Sequence, residues 1–161
     1  FRSYYDREVL PYKNDDIINA HAMPGAHAAL QAVQDAGLRC ALFTNPSFPQ
    51  GAIECRMGWG DLADAPFELV THMGNATRCK PDATYYLEQL QVMGLEPHEV
   101  LMVGNDPKRD FPSPACGIQT AYVGQGKPGR ATWRGTMEDF ARDFNAVIEA
   151  FYEHQVADEL S

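Results

Sequence analysis

Short apolar runs punctuate the chain at 38–43, 67–71, 100–103 and 119–123, and each predicts a strand. The run 38–43 has few polar breaks, the pattern of a parallel strand covered on both faces. Between these runs, apolar residues recur every three or four positions, the period of a helix. Pro24 near its start and Gly37 just past its end bracket a helix carrying Ala26, Leu30 and Val33. A second helix is expected from about Pro49 to Met57. Asp82 caps a third, in which Tyr86, Leu87 and Leu90 face inward and Gly94 ends the run. A short helix around 113–116 leads through Gly117 to the fourth strand. The last helix opens at Thr136, with Asp139 three residues on in a capping-box arrangement. Its apolar face is Phe140, Phe144, Val147, Ile148 and Phe151. Residues 124–135, rich in Gly, Lys and Arg, read as a surface loop. At the other end, residues 1 to about 10 read as the end of a helix with Tyr4, Tyr5, Val9 and Leu10 on one side and Pro11 as its stop. Lys13, Asn14, Asp15 and Asp16 read as a loop.

Strands alternating with helices at this spacing predict an α/β fold with a doubly wound, mostly parallel sheet. Ligands of such sheets collect outside the carboxyl ends of the strands. Internal repeats and low-complexity tracts are absent.

Composition narrows the function classes. The 161 residues suffice for one domain, and 45% hydrophobic with 22% charged residues is a globular balance. No apolar run approaches the roughly 18 residues of a membrane span. Phe1-Arg2-Ser3-Tyr4-Tyr5-Asp6 lacks the apolar region of a signal peptide. The first residue is not Met, so the start of the protein is expected upstream. Thirteen basic against 22 acidic residues leave a net charge of −9, which disfavours nucleic acid and anionic membrane as partners. A small phosphorylated substrate stays compatible, because a local site can be positive on an acidic protein. Cys40, Cys55, Cys79 and Cys116 lack the close spacing of zinc ligands and read as free thiols in a reducing cytoplasm. Cys79, beside Lys80, is the thiol to watch for reactivity. The five histidines form no ligand set.

Candidate chemistry gathers at or beside the predicted strand ends. Asp106 and Asp110 follow the strand at 100–103, and magnesium favours one or two carboxylates with water and phosphate oxygens. Thr44 ends its strand before Asn45-Pro46 turns the chain, where a hydroxyl and backbone N–H groups can bond phosphoryl oxygens. Lys80 precedes Pro81 and could neutralise a carboxylate and a transferring phosphoryl group. Each of these alone is an ordinary turn or surface residue. Their combination is what carries information.

The order Thr44-Asn45, then Lys80-Pro81, then Gly104-Asn105-Asp106 with Asp110 resembles motifs two, three and four of the haloacid dehalogenase-like (HAD-like) hydrolases. The wider wording agrees: Phe43-Thr44-Asn45-Pro46, Phe48-Pro49, Arg78-Cys79-Lys80-Pro81, Tyr85-Tyr86 and Leu101-Met102-Val103-Gly104-Asn105-Asp106. The likeness runs from about Met23 to Val123. It implies a HAD-like Rossmannoid core and magnesium-dependent phosphoryl transfer through an aspartyl-phosphate. Thr44 and Asn45 would serve the phosphoryl group, Lys80 would hold the charges together, and Asp106 would ligate Mg2+. Asp110 would be a second ligand or an orienting partner.

The first motif of that family, Asp-x-Asp after an apolar strand, has no counterpart before Thr44. Asp6 with Glu8 follows an aromatic helical segment, and Asp15-Asp16 follow polar residues. Residues 1–22 are therefore expected to be the end of a helical cap, and 23–161 a core lacking its first strand. An N-terminal segment bearing the nucleophile Asp is the expected partner, and this chain alone is expected to be inactive. The rival reading is a catalytically inactive HAD-like binding or regulatory module. A phospho-acceptor receiver domain is excluded by order, since its acidic residues precede its Thr and Lys. Phosphatase, phosphonatase and dehalogenase chemistry are not separable without the first motif.

Overall fold

The computed structural model describes residues 5–12, 20–126 and 130–159. Its strands are β1 (Ala41–Leu42), β2 (Leu69–Val70), β3 (Leu101–Gly104), β4 (Gln119–Val123) and β5 (Trp133–Gly135). Its α-helices are α1 (Ala26–Asp35), α2 (Gln50–Trp59), α3 (Ala83–Met93), α4 (Met137–Arg142) and α5 (Phe144–Glu159). Every strand pairing among the described residues is parallel, as expected for the predicted α/β class. Among the described residues the pairing falls into two parts, β1 with β2 and β3-β4-β5 in that order.

Side-chain alternation along a strand assigns the two faces. Leu101, Val103, Ala121 and Val123 pack with Ala29 of α1, Phe140 of α4 and Phe144 and Val147 of α5. Val100 and Met102 point the other way, onto Tyr85, Tyr86 and Leu90 of α3. Phe43, just past β1, joins that same cluster. Helix α3 therefore underlies both parts of the sheet.

Local chemistry explains the ends of α3. The Asp82 carboxylate accepts from the Thr84 N–H at 2.8 Å, satisfying one orphan donor. Gly94 turns left-handed at φ 66°, which lets the Leu95 N–H reach the Leu90 carbonyl at 3.0 Å. The inward face is Tyr85, Tyr86, Gln89 and Leu90, whereas Leu87 is exposed. The inward placement of Leu87 expected from its apolarity is thus corrected: the buried stripe runs through 85, 86, 89 and 90, one step round the helix. Gln89 tolerates burial because its amide donates to the Asn75 carbonyl at 3.3 Å.

Two further expectations change. The loop expected over 124–135 contains β5, an edge strand with no apolar run because Trp133 packs inward on Phe140 while Arg134 faces solvent. The helix expected from Thr136 onward is two helices, interrupted at Asp143, whose carboxylate binds the Arg142 guanidinium. Its capping box is present, with Thr136 and Asp139 bonded reciprocally. Phe140, Phe144, Val147 and Phe151 are buried and Ile148 half-buried. Of the expected cap remnant, 1–4 and 13–19 lie outside the described residues, and with them the loop at Lys13 to Asp16. Tyr5–Val9 is a π-helical turn followed by a 3-10 turn at Leu10–Tyr12, so Pro11 sits inside the turn rather than stopping it. No helix among the described residues is long and apolar enough to cross a membrane.

Candidate active site

Thr44 leaves β1 at the carboxyl edge, and Thr71 leaves β2 beside it. The Thr44 hydroxyl donates to the Thr71 carbonyl at 2.6 Å, and the Thr44 N–H donates to Thr71 Oγ1 at 2.7 Å. Thr71 is fully buried, and its hydroxyl lies 2.9 Å from the phenol oxygen of Tyr85. Tyr85 in turn donates to the Thr44 carbonyl at 2.6 Å. Burial pushes the Tyr85 phenol far above its ordinary value, which keeps it a donor. Asn45, the next residue, is exposed.

Lys80 lies between β2 and α3, and its peptide bond to Pro81 is cis. Its side chain is only 9% exposed. The ammonium donates to the Phe43 carbonyl at 2.9 Å and to Asp110 Oδ1 at 2.6 Å. One cation thus ties the end of β1 to the loop after β3. A buried charge is tolerated only when paired and hydrogen-bonded, and both conditions hold.

Asp110 is itself fully engaged. While Oδ1 binds Lys80, Oδ2 accepts from the Asn105 N–H at 3.1 Å and the Asp106 N–H at 2.9 Å. The loop closes on itself through the Asp110 N–H, which donates to the Asp106 carbonyl at 2.7 Å. Gly104 makes room for this: a Cβ there would lie 2.5 Å from the Cβ of Asp110. Asp106 differs. Its side chain is 42% exposed, with Oδ1 accepting from the Lys108 N–H at 3.0 Å and Oδ2 3.4 Å from the Arg109 guanidinium.

Lys80 and Asp110 are therefore in contact, Thr44 is joined to them through the Phe43 carbonyl, and Asp106 stands on the same loop as Asp110. No group of three or more His, Cys, Asp or Glu converges among the described residues. Magnesium does not require one, since it is held by one or two carboxylates with water and phosphate completing its octahedron. The accessible Asp106 fits the role of such a ligand, and the committed oxygens of Asp110 fit that of the group shaping its loop. Cys116 is buried and Cys40 and Cys55 half-buried, with all three thiols pushed up by burial. Cys79 is exposed, and the neighbouring ammonium is directed at Asp110.

Four residues of the site carry no role in the sequence reading: Thr71, Tyr85, Tyr86 and Gly104. Thr71 had a legible signal, a hydroxyl closing an apolar run as Thr44 does. Tyr86 read as a core aromatic, and Tyr85 entered only through the wording of the family resemblance. Their second function depends on which carbonyls come within reach of their hydroxyls.

A hydroxyl, a buried ammonium and a partly exposed carboxylate thus stand together at the carboxyl edge of a parallel α/β sheet. The sequence profile of haloacid dehalogenase-like hydrolases matches residues 3–116, and the chain belongs to that family. It is 30% identical over 120 residues to a phosphoglycolate phosphatase of Rhodospirillum rubrum, an alignment covering 74% of this chain. The chain spans about half the length of that relative, 48%. In fold it is similar to a β-phosphoglucomutase of Clostridium difficile, at TM-score 0.67 and 16% identity over 83% of this chain and 58% of that one. It is also similar to a HAD family hydrolase of Deinococcus radiodurans with bound phosphate and sodium. There the TM-score is 0.65 at 20% identity, over 88% of this chain and 74% of that one.

Proposed function

We propose that the protein carrying this chain is a magnesium-dependent phosphatase of a small phosphate ester. The observation that carries this reading is the Lys80 ammonium, buried at the carboxyl edge between the Phe43 carbonyl and Asp110. A fixed cation there stabilises negative charge that grows in a phosphoryl-transfer transition state, and being prepositioned it needs no reorganisation.

The other groups take complementary roles. Rotation of the Thr44 hydroxyl away from the Thr71 carbonyl turns its proton toward a phosphoryl oxygen, and the exposed amide of Asn45 adds a donor beside it. Asp106 holds the magnesium ion and Asp110 sets the loop that presents Asp106. The ion, when bound, supplies charge neutralisation at the phosphoryl oxygens.

The nucleophile belongs to a further strand. Among the described residues β1 pairs only with β2 and β3 only with β4, and the remaining edges of both are unpaired. The apolar residues Ala41, Leu42, Leu101, Met102 and Val103 are half-buried, whereas β4 is almost wholly buried. A parallel strand laid between β1 and β3 pairs both edges and brings its own carboxyl end beside Lys80. A carboxylate there would attack phosphorus as the P–O bond to the ester oxygen breaks, the leaving alkoxide taking its proton from water. A second water would then hydrolyse the aspartyl-phosphate to orthophosphate and regenerate the carboxylate. The free thiols suit a reducing compartment such as the cytoplasm.

Phosphoglycolate, the substrate named for the Rhodospirillum rubrum relative, is the first ester to assay in the full-length protein, with p-nitrophenyl phosphate as a generic probe. Turnover is expected to require magnesium. Lys80→Met should lower kcat and kcat/KM together by orders of magnitude with an unchanged circular-dichroism spectrum. Asp106→Asn should raise the magnesium concentration needed. A wild type inert towards a panel of phosphate esters, or a Lys80→Met variant with undiminished kcat, sinks the reading.

A further inference from the structure

The first turns of α3 carry two adjacent tyrosines, both with no exposed surface, their rings edge to face at 5.1 Å. Neighbouring helical residues point about 100° apart, so the two hydroxyls leave the helix in different directions. Tyr85 donates to the Thr44 carbonyl at 2.6 Å and meets the Thr71 hydroxyl at 2.9 Å. Tyr86 donates to the Asp110 carbonyl at 2.6 Å and approaches the Arg109 carbonyl at 3.2 Å. One phenol thus holds the loop after β1 and the other the loop after β3. No strand pairing among the described residues joins those two parts of the sheet. Packing of the rings against Phe43 and Met102 requires only apolar bulk. The hydroxyls are a separate feature, since phenylalanine would fill the same space.

We propose that Tyr85 and Tyr86 are positioning residues that set two halves of the site independently, Tyr85 the phosphoryl-binding loop at Thr44 and Tyr86 the metal-binding loop at Asp106 and Asp110. This rests on the phosphatase reading above for the identity of the two ligands. Neither tyrosine touches substrate. Each acts through a carbonyl whose loss of a donor frees its loop to drift. The same helix begins two residues after Pro81, so the segment that places Lys80 also places both loops around it.

The test uses the full-length protein with Tyr85→Phe and Tyr86→Phe, and Phe140→Leu as a variant destabilised far from the site. Orthophosphate and magnesium binding are each measured by titration calorimetry, alongside turnover and thermal melts. Tyr85→Phe should weaken orthophosphate binding about tenfold, the scale of one lost buried hydrogen bond, and leave magnesium binding within about twofold. Tyr86→Phe should do the reverse. Phe140→Leu should lower the melting temperature and move neither binding constant. A shift of both ligands together in each tyrosine variant, or of neither, overturns the assignment, as does a wild type that binds neither ligand. Absence of turnover in a wild type that still binds both ligands sinks the phosphatase reading alone, and the crossed pattern of binding constants still judges the tyrosines.

Discussion

Lys80 and Asp110 are a charged pair with side chains 9% and 11% exposed, a placement that costs free energy unless the charges are paired and hydrogen-bonded. They are answered by one another, by the Phe43 carbonyl, and by two backbone N–H groups at the start of the acidic loop. This arrangement depends on Gly104, where an added Cβ meets the Asp110 side chain at 2.5 to 2.9 Å. Gly104→Ala is expected to displace Asp110, destabilise the full-length protein by about 1–3 kcal/mol, and weaken magnesium binding. Urea unfolding and a magnesium titration check it, and unchanged values in both would show that the loop gives way freely. As residue types, Thr44, Lys80, Asp106 and Asp110 were legible as candidates, because a hydroxyl, an ammonium and carboxylates are the chemistry a phosphoryl group needs. For Asp110 the sequence left two roles open, a second ligand or an orienting partner. Its buried carboxylate, bonded to Lys80 and to two backbone N–H groups while Asp106 stays more open, supports the second within the proposed function.

At the scale of elements, the helices were the most legible part, since caps and periodicity are local. The capping box at the start of α4 has a measurable consequence. Bonding to the Thr136 N–H, then to its hydroxyl and to Arg142, lowers the Asp139 carboxyl from its ordinary 3.8 to about 2. A carboxyl lowered on folding stabilises the native state above its unfolded value and loses that contribution as pH falls towards the folded one. The melting temperature of wild type should exceed that of Asp139→Ala by a constant margin from pH 7 to about pH 5. The margin should then narrow between about pH 4 and pH 2. A margin that widens on acidification would contradict this sign. Strands were less legible: β1 and β2 are two residues each, shorter than their apolar runs, and β5 hid in a polar stretch because an edge strand buries little.

On the scale of the whole molecule, the division of the sheet is the feature that matters. The open edges of β1 and β3 forgo the ladder hydrogen bonds a neighbouring strand would supply, each worth about 0.5–1.5 kcal/mol net, and leave their half-buried apolar side chains partly in water. Several such losses together are a large share of the ~5–15 kcal/mol stability of a domain. Free parallel edges also template association with other chains. Residues 1–161 expressed alone are therefore expected to self-associate or to melt without a cooperative transition, and to lack phosphatase turnover. Scanning calorimetry with analytical ultracentrifugation checks this. A cooperative melt from a monomer would refute the need for an intervening strand, and magnesium-dependent turnover would place the nucleophile within these residues.

The sequence by itself determined the α/β class, the start and stop of most helices, and the residue types available at the strand ends. Those features depend on neighbours within a few positions: period, caps, turn residues and short apolar runs. Only the tertiary structure decided that Lys80 answers Asp110 across 30 residues of chain and that two adjacent tyrosines reach different loops. The same holds for the sheet, which among the described residues pairs as two parts. These are contacts between segments distant in sequence, set by how helices and strands pack rather than by any local preference.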